Sequence, residues 1–234
     1  MDANKILEEI INNMNLIKPG DIPNIDLYMD QVTTFMDKHL YSSKRFDEDR
    51  ALTKTMINNY AKNELLPSPE KKKYSKDHVL LLTFIYYYKN VLSISDIKKL
   101  LQPITDNYFH ASSGTTLEDV YSEIEGFLDT ISQDVQTDVK NKCDLAASSF
   151  TSGSFMDLNQ NNTDYLKLFS LVSMLCLDIY LKKQLIESIV DSLEEPIPKA
   201  EKEKIAKKEL EEREKRLKKQ REEHEKKAKH ENKK

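Results

Sequence analysis

The chain has no tryptophan, and only four glycines and two cysteines among its 234 residues. So little glycine argues against phosphate-cradling loops, β-barrels and most nucleotide-binding α/β enzymes, which need backbone conformations that other residues resist. Cys143 and Cys176 stand far apart without metal-ligand spacing, a usage that suits a reducing cytoplasm. No apolar run is long enough to span a bilayer. The opening MDANKILEEIINN is acidic and amphipathic, without the small-residue cleavage site of a signal peptide. With 38% apolar and 32% charged residues, the composition predicts a soluble, mostly helical, cytoplasmic protein of one or two domains.

The net charge of −4 hides an uneven distribution: −4 over residues 1–43, +5 over 44–102, −11 over 103–198 and +6 over 199–234. A basic segment beside a strongly acidic one indicates regions with different tasks, and only the basic one suits a phosphate-binding surface.

Apolar spacing organises the chain into helices. Ile6, Leu7, Ile10, Ile11, Met14 and Ile17 predict an amphipathic helix over 1–18, ended by Pro19, Gly20 and Pro23. A second helix is expected over Leu27–Leu40, a loop over 41–50, and a third helix over Leu52–Asn63 with Met56, Ile57 and Tyr60 inward. Pro67 and Pro69 forbid a helix there. Ser75 caps the next helix, with Asp77 in its first turn. Ser93 and Asp96 open another, which Pro103 is expected to close. Thr116 with Asp119 begins a stripe running from Leu117 through Val120, Tyr121, Ile124, Phe127, Leu128, Ile131 and Val135 to Val139. Residues 147–163 read as a flexible Ser/Asn-rich connection. A long helix follows from Tyr165 to Leu193, apolar nearly all round from Leu168 to Leu177, which predicts burial, in a dimer interface if not in the core.

Beyond Pro198 the chain holds sixteen Lys/Arg and ten Glu, with Ile205, Leu210 and Leu217 as its only large apolar residues. Pairs such as Glu209–Arg213 and Glu222–Lys226 lie at i,i+4 with Glu first, each worth roughly 0.2–0.5 kcal/mol to a helix. Sustained a/d apolar positions of a coiled coil are lacking. A solvated, partly helical appendage is expected, its interleaved glutamates cancelling most of the field a nucleic-acid-binding tail would need.

Residues 51–101 carry a family resemblance. Met56-Ile57-Asn58-Asn59-Tyr60, Glu64-Leu65-Leu66-Pro67-Ser68-Pro69 and Lys71-Lys72-Lys73-Tyr74-Ser75 follow one another in order. Then come Leu81-Leu82-Thr83-Phe84-Ile85 and Leu92-Ser93-Ile94-Ser95-Asp96-Ile97-Lys98-Lys99-Leu100-Leu101. The series resembles the winged-helix unit of MerR-type transcription regulators. There a recognition helix ends in paired aromatics, followed by G-L-L-P-P, a basic wing ending R-Y-S, an L-x-F-I helix and G-[FY]-S-L-x-E-I-x-x-L-L. The block from about Ile22 to Leu101 is similar to DUF1836, a bacterial family of domains of unknown function related to the MerR winged helix. Two departures stand out: Asn58-Asn59-Tyr60 lacks the arginine and one aromatic, and YSSKRFDEDR lengthens the turn between the first two helices.

The resemblance implies a mostly α protein with a MerR-like winged helix-turn-helix at 22–102, behind an N-terminal helix at 1–21. An acidic helical region for dimerisation or sensing at 103–195 and the charged tail at 196–234 complete it. The function implied is a DNA-binding transcriptional regulator, homodimeric, acting on double-stranded DNA, with no membrane role, no cofactor and an unidentified effector. Recognition helices offer polar and basic groups to groove edges and phosphates. Thr53, Lys54, Thr55, Asn58, Asn59 and Lys62 fill that role, and Asn58 and Asn59 fit the adenine edge. The wing lysines Lys71, Lys72 and Lys73 would follow the phosphate backbone, with Tyr74 anchoring the wing's return. Taken without that context, three lysines in a turn are a solvated charged loop.

Other features have plainer readings. Three consecutive tyrosines, Tyr86, Tyr87 and Tyr88, could form a base-stacking platform, but a helix is expected to bury some and expose one. His78 is expected as an exposed first-turn residue, and Cys176 as ordinary packing. No Ser/His/Asp or paired-carboxylate pattern points to catalysis, so no enzyme is expected. The departures above favour an alternative: a protein-interaction adaptor that keeps the winged helix without DNA binding. An acidic loop at Asp47–Asp49 lying across the basic face would favour it further.

Overall fold

Helix α4, Lys76–Tyr88, is the element around which the chain is arranged. Its sequence KDHVLLLTFIYYY is apolar on every side, and nine consecutive residues, His78–Tyr86, are buried. A helix covered all round gains from each of its faces. The buried Thr83 Oγ1 donates to the Val79 carbonyl at 2.9 Å.

The structure is a computed structural model that describes residues 3–13, 17–46, 48–156 and 159–194, with Glu201, Lys204, Lys207, Lys208 and Arg216. Two compact units divide the chain, Met1–Glu194 and Glu195–Lys234. Apart from those five positions, the tail beyond Pro198 lies outside the described residues, as does Asp47. Among the described residues the protein is mostly helical. Helix α1 (Ala3–Asn13) is followed by strand β1 (Leu27–Tyr28), α2 (Met29–His39), α3 (Lys54–Lys62), strand β2 (Lys73–Tyr74) and α4. Then come α5 (Ile94–Tyr108), α6 (Leu117–Gly126), α7 (Leu128–Ala147) and α8 (Gln160–Asp191). The strands pair antiparallel, Leu27 opposite Tyr74 and Tyr28 opposite Lys73.

The structure departs from the expected elements at several places. Leu27–Tyr28 is a strand, because β2 supplies its partner from 46 residues away, and the helix begins only at Met29. Pro103 does not close α5, which runs through it to Tyr108. An interior proline costs about 3 kcal/mol. Leu101 is buried on one side of it, and Ile104, Tyr108 and Phe109 pack on the core on the other. The stripe from Leu117 to Val139 divides at Gly126–Phe127 into α6 and α7, and Ile124, Phe127 and Ile131 of that stripe are exposed. None of the three tyrosines is exposed: Tyr86 is buried, Tyr87 and Tyr88 half-buried.

His78 is the clearest correction, being 1% exposed. It occupies the third position of α4, where its Nδ1 accepts the Ser75 backbone N–H at 3.0 Å and lies 2.8 Å from Ser75 Oγ. The same Oγ meets His110 Nε2 at 2.8 Å, and the His110 N–H donates to Asp77 at 2.7 Å. The start of α4 is thereby tied to the turn after α5. Tyr74 and Phe109 stand edge-on to the His78 ring at 5.4 and 4.9 Å.

The long connection between α2 and α3 is held by one carboxylate. Asp37, on α2, accepts Arg50 Nη1 at 2.7 Å and the Ala51 N–H at 2.9 Å, and pairs with Lys44 at 3.4 Å. Ala51 and Leu52 are thereby pinned in the core. From the other side Lys89 Nζ donates to the Ala51 carbonyl at 2.9 Å. Burial works against the charge of Asp37, but the bonds from Arg50, Ala51 and Lys44 outweigh it and hold the carboxyl below the usual range. Lys44 and Arg50 of YSSKRFDEDR therefore serve the fold, and Asp49 accepts the Phe46 N–H at 3.2 Å.

Two predictions follow from these contacts. Asp37→Ala, which strands Arg50, Lys44 and the Ala51 N–H, is expected to cost about 2–3 kcal/mol in urea unfolding. Burial, then the neighbouring His110, lowers the His78 pKa from 6.5 to about 4. The folded imidazole thus binds a proton less readily than the unfolded one. Stability is complete above pH 6.5 and falls progressively toward pH 4, by about 3 kcal/mol in all. His78→Gln keeps a capping side chain and should flatten that part of the pH–stability curve.

Candidate nucleic-acid interface

Helix α3 presents one polar face because its apolar residues fall on the other. Ile57 and Tyr60 are buried and Met56 half-buried, while Lys54, Thr55, Asn58, Asn59 and Lys62 are exposed together. Thr53 begins the helix, its Oγ1 accepting the Met56 N–H at 3.2 Å, so this hydroxyl serves as a cap. Lys54 is ion-paired with Asp30 at the start of α2, and its charge is spent within the chain. Lys62 has no ion pair among the described residues.

The helix ends by a left-handed residue, Glu64, at φ 57°. The Leu65 N–H returns to the Tyr60 carbonyl at 2.9 Å, the wrap of a Schellman-type C-terminus. Glu64 also reaches Lys98 of α5 at 3.2 Å. Leu65 and Leu66 enter the core, and Pro67–Pro69 lead out to a tight turn. In that turn the Lys73 N–H donates to the Glu70 carbonyl at 2.8 Å, and Lys71 and Lys72 have φ of 48° and 65°. Left-handed φ at both central residues is the signature of a type I′ turn, the twist-compatible turn of a hairpin.

The three lysines of this turn thus separate into two kinds. Lys71 and Lys72 are exposed at the tip and have no ion pair among the described residues. Lys73 is half-buried in β2, its ammonium 5.4 Å from the ring centre of Tyr28 across the strand pair. Tyr74 is 3% exposed; it anchors β2 in the core and does not stand on the surface with the other nine candidates. Its phenol is pushed up from its ordinary pKa by burial.

Two residues that shape this surface were missed in the sequence. Asp30 neutralises Lys54 from 24 residues away and Tyr28 carries Lys73 from 45, and neither distance leaves a local signal. The His78 cap was within reach, since Ser75 and His78 have capping-box spacing. Among the described residues no cluster of three or more His, Cys, Asp or Glu is placed to hold a metal ion. No helix there is long and apolar enough to cross a membrane.

No curated protein and no solved structure matches the chain. A family model described as a domain of unknown function (DUF1836) matches residues 17–124. The match begins at Ile17, a buried core residue, takes in both strands and the polar face of α3, and ends within α6. The similarity to that family of unknown function thus covers residues 17–124, and α7 and α8 lie beyond it.

Proposed function

We propose that residues 22–102 form a MerR-like winged helix-turn-helix that binds duplex DNA, and that the protein is a cytoplasmic transcriptional regulator. In this reading α2 and α3 are the helix-turn-helix. Thr55, Asn58, Asn59 and Lys62 face the groove, and the turn at Lys71–Lys72 is the wing. The observation that carries it is the backbone at the tip. Two lysines occupy left-handed positions that cost an L-residue roughly 1–2 kcal/mol each, where Asn-Gly would sit with little strain. Strain held at an exposed, unpaired pair of cations is accounted for by a phosphate backbone that they contact. Glu64 adds support, since its left-handed φ falls where the MerR pattern has glycine. The pairing of β1 with β2 holds the Lys71–Lys72 turn beside the strand that leads into α2, which is compatible with this reading.

The alternative, a protein-interaction adaptor on the same fold, draws on the Asp30–Lys54 pair and on Glu70 beside the wing lysines. Both reduce the field that the face offers to a polyanion.

Genomic fragments captured by the full chain and sequenced separate the two. The wild type is expected to enrich a small number of discrete sites at low salt, and Lys71→Glu/Lys72→Glu to lose them. A second variant, Lys71→Asn/Lys72→Gly, keeps the turn while removing both the charge and the left-handed strain. It should raise the urea midpoint through relief of strain, while the slope of log K against log salt becomes shallower by about 1.8. Capture of no fragment by the folded wild type would leave the adaptor reading standing.

A further inference from the structure

Helix α8, expected to be buried, shows Leu168, Phe169, Val172 and Ile179 at its surface, and Cys176, expected to be packed, is exposed on the same helix. A concave apolar surface lies elsewhere, between α4 and α6. Phe84, Tyr87 and Tyr88 of α4 repeat the i, i+3, i+4 spacing of Tyr121, Ile124 and Glu125 of α6. Each helix thereby turns three side chains to the other, and together they line a cavity of about 90 Å³. Phe84 stacks on Tyr88 with ring centres 5.7 Å apart and tilts against Tyr121 at 5.1 Å. Two polar groups of this wall are unanswered. Tyr121 is 2% exposed, and its hydroxyl has no hydrogen-bond partner among the described residues. Buried polar side-chain atoms are in the large majority paired, so this one calls for a partner. Glu125 is half-buried and forms no ion pair among the described residues. Burial, then the nearby Tyr87, Glu125 and Tyr88, pushes the Tyr121 phenol above its ordinary range, so it keeps its proton.

We propose that this cavity binds the end of a protonated primary alkylamine. The ammonium donates to Tyr121 Oη, Glu125 balances its charge, and the methylenes lie against the rings of Phe84 and Tyr88. Aromatic faces attract cations, and they do so most strongly where water is excluded. The alternatives each leave something unpaired. An anion would meet the Glu125 carboxylate in a cavity lined by no lysine, arginine or histidine among the described residues. A neutral hydrocarbon would leave the Tyr121 hydroxyl without a partner, and a quaternary ammonium has no N–H to give it. Size sets the last limit. A cavity of ~150 Å³ admits benzene, so about 90 Å³ holds roughly four heavy atoms, the end of a chain and not a bulky cation. The site stands apart from the DNA-binding reading, since none of its residues belongs to the polar face of α3 or to the Lys71–Lys72 turn.

Ligand-detected NMR of the full chain tests this with n-propylammonium, 1-propanol, propanoate and tetramethylammonium, which are alike in size and differ in charge and in donors. Propylammonium should bind with a Kd of about 1 mM, within reach of a ligand of so few heavy atoms. It should bind roughly tenfold tighter than each of the other three. Tyr121→Phe and Glu125→Gln, which keep the shape of the wall, should each abolish that preference. Tyr121→Phe should also leave the urea midpoint unchanged or raised, because the hydroxyl it removes has no partner within the chain. Equal binding of 1-propanol or tetramethylammonium would overturn the proposal, as would a preference that survives both substitutions. So would the absence of propylammonium binding at about 20 mM. The comparison of the four probes on the wild type decides the matter even if a variant fails to fold.

Discussion

Burial of α4 on every side is the constraint on which the rest of the molecule depends. A helix with nine consecutive buried residues must be surrounded, and its ends fix what surrounds it. At its start, Ser75 and His78 close a cap that also grips His110, so that β2 and the turn beyond α5 meet at one point. At its end, Lys89 holds the backbone of Ala51, just before α3. Asp37 grips the same loop from α2. The polar face of α3 and the turn at Lys71–Lys72 are thereby attached at both ends to the same buried helix.

The elements fixed by local chemistry were legible. Thr116 with Asp119 and Ser93 with Asp96 form reciprocal caps in the structure, because capping acts over three residues. The outward set on α3 followed from periodicity, since Met56, Ile57 and Tyr60 claim the inner side. What escaped depends on contacts between distant segments. Leu27–Tyr28 is a strand only because Lys73–Tyr74 lies beside it, and two-residue strands are too short to show alternation. α5 tolerates Pro103 because core contacts flank it. His78 is buried because Tyr74 and Phe109 converge on it. The lengthened loop gave no sign in the sequence of what holds it; in the structure Lys44 and Arg50 both pair with Asp37 of α2.

The uneven charge now has a structural counterpart. The +5 segment holds α3 and the Lys71–Lys72 turn, and part of its charge is offset by Asp30 and Asp37 from the preceding segment. Lys62, Lys71, Lys72 and Lys73 are the cations of that surface without an ion pair among the described residues, and Lys73 lies over the Tyr28 ring. The −11 segment holds α6, α7 and α8, and a negative surface there disfavours nucleic acid. On this account polyanion contact is confined to α3 and the Lys71–Lys72 turn.

Amide hydrogen exchange of the full chain, with and without a random-sequence DNA duplex at low salt, tests the central claim most directly. Non-specific binding is strongest under those conditions and needs no known operator. The account predicts added protection at 53–62 and 70–73, with α7 and α8 unchanged by the duplex. Protection absent from both segments, or found in α7 and α8 instead, would contradict it.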